Sequence, residues 1–195
     1  MALAAKSAAK SLLSESVLNH SYRVYYLAKA MAAKWDVPID DELDALLLTV
    51  SLLHDLNLQS PTPGRCFAVE GGFRAMQIVQ EAGASDALAE YIGASIGLHM
   101  NIHRNDSYRR GLAEPVMFVA WGGLVDVYGQ MKVQFDPGWV TELLDPKDGY
   151  PRLGFKEVAI EAMTAEAEAV EGGRVHWLVT GGNIANWIRD APWDE

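Results

Sequence analysis

Apolar residues return at steps of three and four through most of this chain, a periodicity that fits helices and leaves little room for strands. Between Ser16 and Lys34 the positions Val17, His20, Val24, Leu27 and Met31 fall along one face. Asp36-Val37-Pro38 ends that helix, because proline lacks an amide donor and restrains the residue before it. Asp40 can cap a second helix that carries Leu43, Leu46, Leu47, Val50, Leu53 and His54 inward. The stretch from Asn57 to Gly64 holds two prolines and a glycine and reads as a loop.

A helix is expected from about Val69 to Glu81, and another, capped by Ser85, with Leu88, Ile92, Ser95 and His99 on one face. Met100 to Gly111 is polar and reads as a loop. Pro115 suits the first turn of a helix running to about Val133. Three prolines and three glycines between Phe135 and Gly154 predict a long irregular connection. Two last helices are expected over residues 155–171 and 174–189, separated by Gly172-Gly173. The fold class is all-α: one helical bundle over residues 15–195, preceded at 1–14 by an extension or short helix, frayed or docked.

With 195 residues, half of them hydrophobic, the chain can bury a substantial single core. Its net charge of −10 opposes a nucleic-acid backbone, and the densest basic stretch, Arg104, Arg109 and Arg110, is interrupted by Asp106. That cluster suits a small anion better than a duplex. Cys66 has no partner for an internal disulfide, which favours a reducing compartment. No apolar run reaches the ~20 residues that span a bilayer, and Lys6 and Lys10 interrupt the N-terminus, so a cytoplasmic protein without a membrane partner is expected. Six tryptophans and a long apolar C-terminal helix are compatible with a homodimer.

The chemistry concentrates in four ionisable residues set into apolar helices. His20 and His54 lie on buried faces, Asp55 follows His54, and Asp126 interrupts the apolar run Val116 to Val133. An ionised carboxylate buried without a partner costs several kcal/mol or more. These residues therefore need one another or a cation, and one divalent metal would satisfy all four. Imidazole and carboxylate suit Zn²⁺ first, with Fe²⁺ and Mn²⁺ also compatible. Such an ion brings the pKa of bound water toward ~7.

The order His20, His54-Asp55 and a distant Asp126 on successive helices resembles the HD-domain superfamily of metal-dependent enzymes. The segments Asn19-His20-Ser21-Tyr22-Arg23-Val24-Tyr25 and Phe67-Ala68-Val69-Glu70-Gly71-Gly72 look like those of cyanamide hydratase and its relatives. The resemblance implies His20, His54, Asp55 and Asp126 as metal ligands, with water added to a carbon–nitrogen triple bond of a small substrate. His99 matches a later histidine of two-metal members, but no histidine occurs from Leu56 to Ala94, which favours one ion. For the same reason a dinuclear oxygenase lacks ligands.

Asp55, Glu70 and His99 are the expected catalytic groups: Glu70 as acceptor or proton carrier, His99 as hydrogen-bond donor to substrate. Glu70 could alternatively cap its helix or complete a second metal site. Arg23, three residues after His20, is expected to pair with an acidic neighbour. Two other functions use the same ligands: hydrolysis of a nucleotide or other phosphomonoester, and a non-catalytic metal-binding module.

Overall fold

The structure is a computed structural model, described here for residues 1–100, 114–129 and 132–193. Among these residues there are ten α-helices and no strand, only an isolated bridge between Thr62 and Arg65. In chain order they are α1 (Ala2–Leu12), α2 (Glu15–Lys34), α3 (Asp41–Leu53), α4 (Phe67–Glu81), α5 (Asp86–Leu98), α6 (Glu114–Tyr128), α7 (Pro137–Leu143), α8 (Phe155–Ala169), α9 (Arg174–Thr180) and α10 (Ile184–Arg189). None is long and apolar enough to cross a membrane.

Local chemistry accounts for the main boundaries. The Asp40 side chain accepts from the Leu43 amide and Ser85 accepts from the Leu88 amide, which caps α3 and α5 as their sequences imply. Helix α4 starts two residues earlier than expected because a distant carboxylate caps it: Oε1 of Glu166, on α8, accepts from the Phe67 amide at 2.8 Å.

Three expectations change. Helix α6 stops at Tyr128 rather than Val133, since Gly129 turns to φ +69° and its amide closes on the Val125 carbonyl at 2.8 Å. The connection over 135–154 contains α7, nucleated by Asp136, whose carboxylate accepts from the Trp139 amide, and by Pro137 in the first turn. The long C-terminal helix is two short ones, divided at Gly181-Gly182-Asn183, where Asn183 takes φ +57°.

Helix α2 is the central element, with Val24, Leu27 and Met31 essentially inaccessible. Full burial of such side chains is worth roughly 1.5–3 kcal/mol each. It packs on α6 and α3, while α4 and α5 form a hairpin that closes on Gly72 and Gly93. The N-terminal residues are docked: α1 seats Ala5 and Ala9 against α3 and α4. One hydrophobic cluster runs through α1–α6; a second joins Val17, Leu58 and Phe67 to α8–α10. The polar centre lies where the two clusters meet.

Candidate metal centre

His20 comes from the second turn of α2, His54 caps the C-terminus of α3, Asp55 follows in the turn, and His99 caps the C-terminus of α5. All four are buried. Helix periodicity turns His20, His54 and His99 inward among apolar neighbours, and the chain reversal after α3 brings Asp55 with them.

Hydrogen bonds define which ring nitrogen carries a proton. Nδ1 of His54 lies 2.6 Å from the Ser51 carbonyl, and Nδ1 of His99 lies 2.6 Å from the Ile96 carbonyl. A carbonyl only accepts, so Nδ1 donates in each ring and the neutral form leaves Nε2 with a bare lone pair. Nε2 of His20 then stands 3.3 Å from Nε2 of His54, and Oδ2 of Asp55 stands 3.4 Å and 3.2 Å from those two nitrogens. Electron-rich atoms converge there and call for a positive charge between them.

Without a metal, a proton is the available cation. Burial lowers the basicity of His54, but the adjacent Asp55 carboxylate and the Ser51 carbonyl outweigh it and raise its pKa. Burial works against ionised Asp55 as well, yet His54 and His20 hold its pKa well below the usual carboxylate range. The same three atoms could serve as ligands to a metal ion. Among the described residues His20, His54 and Asp55 form a group whose donor atoms all lie within 4.8 Å of one another, and this group could hold a metal ion.

Asp126 and His99 stand at the edges of this group. Asp126 faces the far side of the His20 ring, with Oδ2 2.7 Å from Nδ1. Its Oδ1 accepts from Nε of Arg23 at 2.7 Å and from Nη1 of Arg152 at 3.2 Å, and its Oδ2 accepts from Nη2 of Arg23 at 3.0 Å. Burial would raise the Asp126 pKa, but the two guanidinium groups and His20 hold it far below normal. His99 lies 3.7 Å from Oδ1 of Asp55 through Nε2. Burial, reinforced by His54, pushes its pKa down to about 4, so it is neutral at pH 7. Its N–H is committed to Ile96, and the nitrogen nearest Asp55 is therefore an acceptor rather than the expected donor.

Arg23 pairs with an acidic neighbour as its position implies. Arg152 and Phe155 were not legible as site residues. Phe155 stacks on His20 at 4.3 Å between ring centroids, and both arginines lie over the same ring. The carbonyl of Pro151 accepts from Asn19 and Arg23, and that of Arg152 accepts from Ser16, so residues 151 and 152 are pinned to α2. Glu70 instead pairs with exposed Arg65 at 3.4 Å, in the first turn of α4. His176 bonds the Ala167 carbonyl. Asn101, His103, Arg104, Arg109 and Arg110 lie outside the described residues.

His20, His54, Asp55 and His99 form one wall of a cavity of about 40 Å³. The remaining walls are mainly apolar, with Val119, Leu124, Val127 and Tyr128 from α6 and Met163 from α8. Gly123 keeps this side open: a Cβ there would meet nothing within 4 Å. Glu70 is not on the wall.

Among known proteins, the chain matches no family model and no curated sequence.

Proposed function

We propose that this protein is a metal-dependent hydratase that adds water to a small substrate containing a carbon–nitrogen triple bond, converting cyanamide to urea. The carrying observation is the size and lining of the cavity beside His20, His54 and Asp55. At about 40 Å³, with mainly apolar walls, it favours a substrate of few heavy atoms over a bulky one. The resemblance of His20, His54-Asp55, Asp126 and the Glu70-Gly71-Gly72 segment to HD-type hydratases supports the same reading.

Zinc is the proposed ion, with iron(II) or manganese(II) as alternatives; its contribution would be to acidify a coordinated water near neutral pH. The Nε2 atoms of His20 and His54 and the ionised Asp55 carboxylate are the groups that would hold it. Hydration to urea replaces both carbon–nitrogen π bonds with a carbon–oxygen σ and a carbon–oxygen π bond, and both water hydrogens finish on the former nitrile nitrogen. Asp55 remains ionised and can accept a hydrogen bond from water. His99, neutral with Nε2 as an acceptor, can take a hydrogen bond from the substrate amino group. These two are the acid–base groups on the wall; Glu70 faces Arg65 instead.

A phosphomonoester is disfavoured. Phosphoryl transfer needs cationic donors around the oxygens, and among the described wall residues there is no lysine or arginine. The buried Arg23 and Arg152 face Asp126. The test is to load the protein with zinc, iron or manganese and measure urea from cyanamide beside phosphate from nucleoside monophosphates. Urea without phosphate is expected. No urea at full metal occupancy would overturn the substrate, and phosphate release would favour the phosphohydrolase.

A further inference from the structure

Asp126 lies close enough to His20 for two different roles, ligand or support, and its own hydrogen bonds discriminate between them. An ionised carboxylate offers about four lone-pair directions. Here four N–H donors converge on it: Nε and Nη2 of Arg23, Nη1 of Arg152 and Nδ1 of His20, at 2.7–3.2 Å. The contact with Arg23 is two-pronged and charge-assisted, the strongest geometry available to such a pair. Arg23 is itself tied to the carbonyls of Tyr150 and Pro151, and Arg152 to the backbone carbonyl of Asp126. Turning the carboxylate toward the His20–His54–Asp55 group would break several buried charge-assisted bonds and release the His20 ring.

We propose that Asp126 is a positioning residue: clamped by Arg23 and Arg152, it holds His20 with its proton on Nδ1, so that Nε2 is bare and aimed at His54 and Asp55. The proposal rests on the metal reading of that group, and it takes Asp126 out of the ligand set that the sequence resemblance implies. A carboxylate behind a ligating histidine fixes tautomer and ring orientation, and losing such a support typically weakens metal binding by ~10–100-fold without abolishing it.

Two measurements test this on the full chain. The first needs no variant: nitrogen-15 spectra of the imidazoles in metal-free protein report which His20 nitrogen is protonated. Protonation at Nδ1 is expected, and a proton on Nε2 alone would overturn the proposal. The second is zinc affinity by chelator competition, with cobalt absorption spectra, for wild type, Asp126→Asn and His54→Ala. Asp126→Asn should still bind one ion about 10–100-fold more weakly, with the wild-type cobalt bands. Loss of binding as complete as in a folded His54→Ala, or a changed cobalt spectrum, would make Asp126 a ligand. If wild type takes up no metal, the metal reading fails while the His20 tautomer is still measured, so the two failures are distinguishable.

Discussion

Gly122 brings α6 against the backbone of α2 so closely that a Cβ at this position would sit 2.6 Å from the carbonyl oxygen of Val24. The next residue, Gly123, faces the opposite situation, with open space where its Cβ would be. Adjacent glycines thus do different work: one sets the distance between the helices that carry His20 and Asp126, and the other leaves the cavity open. Gly122→Ala should cost about 1–3 kcal/mol through overpacking, read as a lower urea midpoint. Gly123→Ala should be neutral or up to ~1 kcal/mol stabilising. Gly123→Leu should fold and bind metal yet lose turnover; unchanged activity would place the substrate elsewhere.

His54→Ala removes one of the three converging donors. Wild-type protein should retain about one ion per chain after dialysis, and the variant close to none, as measured by elemental analysis with folding checked by circular dichroism. Equal retention in a folded variant would mean that the ion sits elsewhere.

Arg23 is fully buried and its charge is matched chiefly by Asp126. Removing one member of a buried ion pair typically costs about 3–5 kcal/mol; Asp126 keeps Arg152 and His20 as partners when Arg23 is lost, so the lower end, about 3 kcal/mol, applies. Arg23→Met should therefore lower stability by about that amount. Arg65→Met, at the exposed pair with Glu70, should change it by less than ~1 kcal/mol. Similar midpoints for the two variants would contradict the weight given to the clamp.

His99 predicts acid sensitivity in the metal-free protein. Its ordinary pKa of 6.5 falls to about 4 in the folded chain. Between these values the unfolded chain binds the extra proton, so stability declines as pH drops from 6.5 toward 4, by on the order of 3 kcal/mol in all. His54 acts in the opposite sense. Its raised pKa contributes stability that is present below 6.5 and lost as pH rises through the folded value. Urea midpoints measured every half unit should slope upward from pH 4 to 6.5, and His99→Gln should flatten that limb. An unchanged slope would remove His99 as its cause.

Much of the centre was legible because ionisable residues on apolar helical faces are costly and few. His20, His54, Asp55 and Asp126 stand out on that ground, and the fold keeps them together. The division of labour was not legible, since spacing cannot say which ring nitrogen faces a carboxylate. Arg152 gave no signal at all: it sits in a stretch of proline and glycine without periodicity, and its role depends on a contact 26 residues away. The same stretch hides α7, because proline breaks a helix interior yet starts one in the first turn, as Asp136-Pro137 does here. The C-terminal segment shows the converse. The apolar pattern continued across Gly181 and Gly182, and the left-handed turn at Asn183 divided it.

The docking of α1 has a consequence for how the chain is assembled. Its buried face is made of alanines, Ala5 and Ala9, which have little surface of their own and depend on a ready-made platform. That platform is α3 and α4, whose residues leave the ribosome well after α1 does. The earliest of these helices to be synthesised must therefore wait until Leu53 has followed it out for its first platform helix, and until Glu81 has for the complete platform.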